Sequence, residues 1–341
     1  MRSMSPGKRL LIGAMVAAVG GAACTAAATP APTGAFVIPI QLTPSHVSVA
    51  VAVDQGFLKG IDLQWTLVGY GESSQLFHAG TNPIGNESPW EAATYQGQGK
   101  DIRFFSTVEA NDTGSAIVIR TEDKAKYPDL KSLKGQKVGN PGFGTGTWAA
   151  FQVIAKGLNG LDATKDFIPV EGNPGDLEGL LQTKAIEAFI SFNAPTIHAL
   201  ANPDYTKIYD VSGEWKKETG SPITINGWIA DAAWLDGHEE IVKNFIAGID
   251  QGLEYYKQHL EVDDKGGKFE QFAQNEGRLV DAATEAFADE LIKAGNFYYP
   301  ASLFTKDWAE DLYKFIQLGE GVLVDTVPPF EKVFYEKTFA K

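Results

Sequence analysis

The chain is poor in cysteine, in positive charge and in long apolar runs, and each shortage excludes a class of protein. One cysteine, Cys24, stands among 341 residues. An internal disulfide, a cysteine-based zinc site and thiol chemistry with a resolving partner are therefore excluded. Lysine and arginine number 29 against 43 acidic residues, a net charge of −14. Affinity for a nucleic-acid backbone comes from basic side chains that displace counterions, so nucleic acid is not an expected partner, and neither is a basic membrane-surface patch. The apolar run at residues 10–19 is shorter than the roughly 20 residues that span a bilayer. Of the five histidines, His78, His198, His238 and His259 lie in helical patterns without metal-ligand spacing. No HExxH, Gly-x-Ser-x-Gly or acidic calcium loop occurs, so neither a metal nor a cofactor is expected. With 44% hydrophobic residues, the chain suits two lobes of ordinary domain size better than one core.

The N-terminus has a character of its own. Residues 1–23 open with Arg2, Lys8 and Arg9, continue through the apolar run, and end on Gly20, Gly21, Ala22 and Ala23 before Cys24. This is the layout of a secretory signal peptide. Small residues ending on a cysteine resemble the lipobox of bacterial lipoproteins, in which the thiol is lipidated and becomes the new N-terminus; Gly21 stands where that motif carries leucine. The two readings are a lipid anchor on Cys24 and an ordinary signal peptide cut nearby. Removing residues 1–23 takes away three basic residues and no acidic one, so the mature charge moves from −14 to −17. Residues 24–34, rich in Ala, Thr and Pro, read as a tether. An acidic body outside the cell membrane, held to it through a lipid alone, is the resulting expectation.

From residue 35 onward, short apolar runs alternate with helical patterns, which predicts an α/β fold with mostly parallel sheets. Strands are expected at 36–40, 61–68, 82–86, 102–108 and 116–120, with a helix beginning near Ser45 and another from Pro89 toward Gln98. A second βαβ lobe begins near residues 130–146, with further strands at 167–170, 187–190, 207–211 and 223–229. From His238 the pattern is almost wholly helical, and Ile241, Phe245, Ile249, Leu253 and Tyr256 fall on one face.

Three stretches carry a family resemblance. They are Leu130-Lys131-Ser132-Leu133-Lys134-Gly135-Gln136-Lys137-Val138-Gly139 with the glycine/threonine loop after it, Gln55-Gly56-Phe57-Leu58, and the run from Leu180 through Phe189. Together they resemble the substrate-binding proteins of bacterial ABC importers for nitrate, taurine, alkanesulfonates and thiamine-pyrimidine precursors, over about residues 35–260. Lys184 or Ala185 and Glu187 replace a glycine and an aspartate usual in that family. The resemblance implies a two-lobed, periplasmic-binding-protein-like clamshell of type II, with ligand in the cleft and delivery to a cognate ABC permease and ATPase. It puts residues 35–114 with 228–341 in lobe I and 115–227 in lobe II, with hinges near 111–115 and 224–228, in a monomer that is not an enzyme.

Ligands of open α/β sheets bind beyond the carboxyl ends of strands. The loops that follow the predicted strands supply Gln41, Thr43 and His46; Asn86, Glu87 and Trp90; Asn111; Gly144, Thr145, Thr147 and Trp148; Phe192 and Asn193; and Trp228. None of these loops holds lysine or arginine, so a strongly anionic ligand would rest on backbone amides and helix dipoles. The run Gly142-Phe143-Gly144-Thr145-Gly146-Thr147 lacks the lysine of a Walker A loop and the spacing of a dinucleotide fingerprint. It reads either as a ligand loop or as a plain strand-to-helix turn. Glu87 with Trp90, Trp148 and Trp228 suits a planar, nitrogen-rich ligand, a carboxylate accepting and a ring stacking. Riboflavin and thiamine-precursor pyrimidines are candidates, with an alkanesulfonate, taurine or nitrate as the alternative. The bland reading makes Glu87 the N-cap of the helix at Pro89 and the tryptophans core. A pyrimidine-forming enzyme on the same fold is a further alternative, against which stand the lone Cys24 and the lysine-free loops.

Overall fold

Parallel neighbours need a crossover, and the first unit of the chain provides one. The computed structural model describes residues 35–41, 46–68, 72–110, 115–143, 145–263, 265–275, 278–295 and 298–340. Strand β1 (Ala35–Gln41) runs through helix α1 (Val47–Asp54) to β2 (Asp62–Val68), which lies parallel to β1 with Gln41 opposite Val68. Helix α1 has the sequence Val-Ser-Val-Ala-Val-Ala-Val-Asp, in which β-branched residues alternate as in a strand. It is helical because Val47 to Ala52 are all buried, and tertiary packing overrides a weak local preference.

Then follow α2 (Glu72–His78), β3 (Ile84–Glu87), α3 (Pro89–Gly97) and β4 (Ile102–Ala110). Helix α3 starts where its sequence dictates: Ser88 and Glu91 form a capping box and Pro89 occupies the first turn. The next stretch holds β5 (Ala116–Arg120), β6 (Lys137–Asn140), α4 (Gly146–Asn159), β7 (Ile168–Glu171), α5 (Pro174–Gln182), β8 (Ala188–Ser191), α6 (Asn193–Ala201), β9 (Tyr205–Asp210), α7 (Val211–Thr219) and β10 (Thr224–Asp231). The remainder is helical, as the periodicity predicts: α8 (Ala232–Gly237), α9 (Glu239–Gln258), α10 (Glu270–Asn275), α11 (Ala282–Lys293), α12 (Lys306–Leu318) and α13 (Phe330–Val333).

Besides the β1–β2 pair, the strands form a three-stranded sheet in the order β3-β10-β4 and a five-stranded sheet in the order β7-β6-β8-β5-β9. The pairing is more mixed than the mostly parallel expectation. Strand β10 is antiparallel to both its neighbours, and β5 is antiparallel to β8 and β9. The reason is topological: β5 and β10 are the strands by which the chain passes from one sheet to the other, so each begins beside the points where its neighbours end.

Core packing joins these layers. On α9 the predicted face is buried at Phe245, Ile249, Leu253 and Tyr256 and half-buried at Ile241. Here α9 meets α1 so closely that a Cβ on Gly252 would stand 2.3 Å from the carbonyl oxygen of Ser48. Helix α12 inserts Phe315 between Trp90 of α3 and Trp215 of α7, with ring centroids 5.7 and 5.4 Å away. Its Trp308 Nε1 donates to the carbonyl of Pro222 at 2.8 Å. One hydrophobic cluster consequently holds Phe104 and Ile229 of the three-stranded sheet together with Ile117, Val138 and Ile190 of the five-stranded one.

Candidate functional site

Strand ends of two sheets come together where the chain crosses between them. Thr224, the first residue of β10, pairs with Ala110, the last of β4, and β5 begins six residues later at Ala116. Because β5 is antiparallel to β8 and β9, its start lies beside their carboxyl ends, and β6 is parallel to β8. The carboxyl ends of β3 and β4 on one sheet and of β6, β8 and β9 on the other therefore flank the same crossing. Contact across it is direct: a Cβ built on Gly146 of α4 would lie 3.6 Å from Cζ2 of Trp90 in α3.

On the five-stranded side, the turn between β6 and α4 is built by hydrogen bonds from its own residues. Asn140 Oδ1 accepts from Gly142 N–H at 2.9 Å. The carbonyl of Gly142 accepts from the Thr145 hydroxyl at 2.8 Å and from the Thr145 N–H at 3.1 Å. Thr145 Oγ1 in turn accepts from Trp148 N–H at 3.3 Å and caps α4. The predicted ligand contact Thr145 is thus committed to the turn. Gly142 has φ +133, a conformation that a side chain strains. This turn presents Phe143, half exposed, with its ring edge-to-face on Trp148 at 5.8 Å. Trp148 is itself buried against Phe151, and Thr147 is buried beside it.

Two polar groups at these strand ends lack what burial normally demands. Asn140 closes β6 and Ser191 closes β8, and both are fully buried. Asn140 Nδ2 and Ser191 Oγ have no hydrogen-bond partner among the described residues. A buried donor left unpaired costs about 1–3 kcal/mol, so each calls for an explanation, such as a ligand. Helix α6 starts immediately beyond Ser191, and its N-cap Phe192, half-buried, provides no side-chain cap.

On the three-stranded side the predicted residues are tied into the protein. Asn86, opposite Trp228 in the register, donates from Nδ2 to the carbonyl of Gly227 at 3.1 Å. Trp228 is wholly buried, edge-to-face with His46 at 5.7 Å and with Phe245 at 5.1 Å. His46, the N-cap of α1, is buried as well, and burial pushes its pKa down to about 3. Trp90 is buried against Phe315.

Glu87 does not cap α3, since Ser88 does. Its buried carboxylate turns to α2 and α3 instead, accepting from the hydroxyls of Ser74 and Tyr95 and lying 3.2 Å from His78 Nε2. Tyr95 Oη is also 2.7 Å from that nitrogen. With the Tyr95 proton given to Glu87, His78 Nε2–H is left to donate. Burial raises the Glu87 pKa, and the two hydroxyls pull it back.

Gln41 closes β1 and Asn193 opens α6. Thr43, Asn111 and Gly144, with Cys24 and the whole leader and tether, lie outside the described residues. Asn140 was outside the loops read from the sequence, and Ser191 and Phe143 lay within them without being singled out as contacts. An asparagine between a short strand and Pro-Gly, and a serine ending an apolar strand, were the available signals. Among the described residues, no group of three His, Cys, Asp or Glu side chains is arranged to hold a metal, and no helix is long and apolar enough to cross a membrane.

Comparison with known proteins agrees with this architecture. No curated protein matches the sequence. Among solved structures, the periplasmic aliphatic sulphonate binding protein SsuA from Escherichia coli superposes with a TM-score of 0.69 at 14% identity, covering 90% of this chain and 94% of that one. The alkanesulfonate-binding protein SsuA from Xanthomonas axonopodis pv. citri, bound to MOPS, gives 0.60 at 14% identity over 89% and 98%. The Candida albicans CA3427 gene product, described as having the generic periplasmic binding protein fold, gives 0.57 at 15% over 90% and 97%. At these identities the likeness establishes the fold: an α/β periplasmic-binding-protein architecture. A family profile described as NMT1/THI5 like matches residues 43–261, well over half of the chain, and the protein belongs to that family.

Proposed function

We propose that this protein is the extracytoplasmic solute-binding component of an ABC importer, which holds one small molecule between two lobes and presents it to a permease and its ATPase. The observation that carries the reading is the pair of buried, unpartnered donors, Asn140 Nδ2 and Ser191 Oγ, at the carboxyl ends of neighbouring strands. That is where ligands of open α/β sheets sit. Lobe I is residues 35–114 with 228–341 and lobe II is 115–227, hinged near 111–115 and 224–228, with α12 packed on helices of both. Cys24 is the lipid attachment point, and the protein works as a monomer without catalysis. The lysine-free loops and a single cysteine in the export leader support the last point.

Donors without a formal charge favour a ligand that presents acceptor oxygens. Sulfonates, for which two of the structural neighbours are named, fall in this class. So do carboxylates and the carbonyls of a pyrimidine or a flavin. The planar nitrogenous ligand draws no support from Trp90, Trp148, Trp228 or Glu87, because the rings are buried in cores and the carboxylate is occupied by Ser74 and Tyr95.

The test is a thermal-unfolding screen of the mature protein with hexanesulfonate, taurine, nitrate, riboflavin and an aminopyrimidine, followed by small-angle scattering. A ligand at a hundredfold its Kd adds about 2.7 kcal/mol, which shifts the melting temperature by several degrees. Asn140→Ala is expected to weaken that ligand about tenfold. A bound ligand that leaves the radius of gyration unchanged would refute lobe closure.

A further inference from the structure

Among the side chains described, Phe143 is the sole exposed phenylalanine, tyrosine or tryptophan, at 50% relative exposure. A single exposed apolar residue is ordinary on a protein surface. Three observations set this one apart. The turn that carries it is held by four hydrogen bonds among Asn140, Gly142, Thr145 and Trp148, so the ring is presented by a rigid frame. The ring leans edge-to-face on the buried Trp148, which orients it and leaves its other side free. The same turn begins at Asn140, whose buried Nδ2 is unpartnered and whose Oδ1 holds the turn. A donor in need of an acceptor and a ring in need of a cover thus stand three residues apart at the edge facing Trp90.

Resting on the solute-binding reading above, we infer that Phe143 is a specificity-determining residue and that the ligand pairs an oxyanion head with a flat, unsaturated body that lies against this ring. The head meets the neutral donors at the ends of β6 and β8. The body meets Phe143, whereas Trp90, Trp148 and Trp228 are buried in cores. Ring-on-ring contacts exceed simple area burial by an amount equal to about threefold to tenfold in affinity.

Matched probes test this: benzenesulfonate against cyclohexanesulfonate, and benzoate against cyclohexanecarboxylate, each titrated by calorimetry into the mature protein. The expected result is tighter binding of the aromatic member, by about threefold to tenfold, in whichever anion pair binds. Phe143→Leu keeps an apolar side chain and should bring the aromatic-to-saturated ratio to about one, while Phe143→Tyr should retain the preference. Binding without preference, or a preference that survives Phe143→Leu, would overturn the inference and leave the solute-binding reading standing. If none of the four anions binds the unmodified protein, an oxyanion head is ruled out and the inference falls with it.

Discussion

His46 shows how one buried side chain sets a pH dependence. Its pKa lies at about 3 because burial penalises the charged imidazolium, whereas in the unfolded chain a histidine takes a proton near 6.5. The unfolded state therefore binds the proton first as the pH falls, and the native state does so only near pH 3. Stability from this residue is complete above about pH 6.5 and is lost below it, at about 1.4 kcal/mol per pH unit. His46→Phe, which keeps a ring against Trp228, should make the fall in urea-unfolding free energy between pH 6 and pH 4 shallower by about that slope; equal slopes would contradict the assignment. Asn86 and Glu87 illustrate what sequence alone leaves open. Their place at the end of β3 was legible from the short apolar run before them, but their partners were not. Gly227 is far away in the chain, and Ser74, His78 and Tyr95 reach Glu87 only because α2 and α3 pack beside β3.

At the scale of elements, α9 packs on α1 and on the turn that follows it through two glycines. A Cβ at Gly248 would stand 2.4 Å from Leu58 Cδ2, and one at Gly252 would stand 2.3 Å from a backbone oxygen of α1. A side chain can move aside and a backbone oxygen cannot, so Gly252→Ala should be the more damaging change. Alanine in a helix gains up to about 1 kcal/mol in propensity, and overpacking costs about 1–3 kcal/mol. The net expectation is destabilisation, read as a lower urea midpoint; a raised midpoint would show that the helices separate freely. Strand and helix positions were largely readable, since α3 carries its capping box and α9 its apolar stripe in the local sequence. Strand direction was not: whether β5 and β10 run with or against their neighbours depends on where the chain crosses between sheets, which no local pattern encodes.

At the scale of the molecule, the described residues form one compact unit, and a single hydrophobic cluster draws on both larger sheets. We expect one cooperative transition in calorimetry rather than two. Phe315 of α12 is the ring that ties Trp90 to Trp215. Phe315→Ala should cost about 3–5 kcal/mol, lowering the melting temperature and changing tryptophan fluorescence. A split into two separated transitions in this variant would identify α12 as the bond between the halves, and an unchanged melting temperature would show that the aromatic chain is not a stabilising one.

The sequence by itself determined the α/β alternation, the helical C-terminal third and the loops in which a ligand site should be sought. Each is written in near neighbours: apolar spacing, caps, prolines and charge. Only the tertiary structure decided which residues of those loops are available. Trp90, Trp148 and Trp228 became core because helices distant in sequence cover them, Glu87 was taken up by α2 and α3, and Thr145 was spent on its own turn. Asn140 Nδ2 and Ser191 Oγ were left buried without partners among the described residues, and Phe143 uncovered, because burial and hydrogen bonding are settled between segments that meet only in the folded chain.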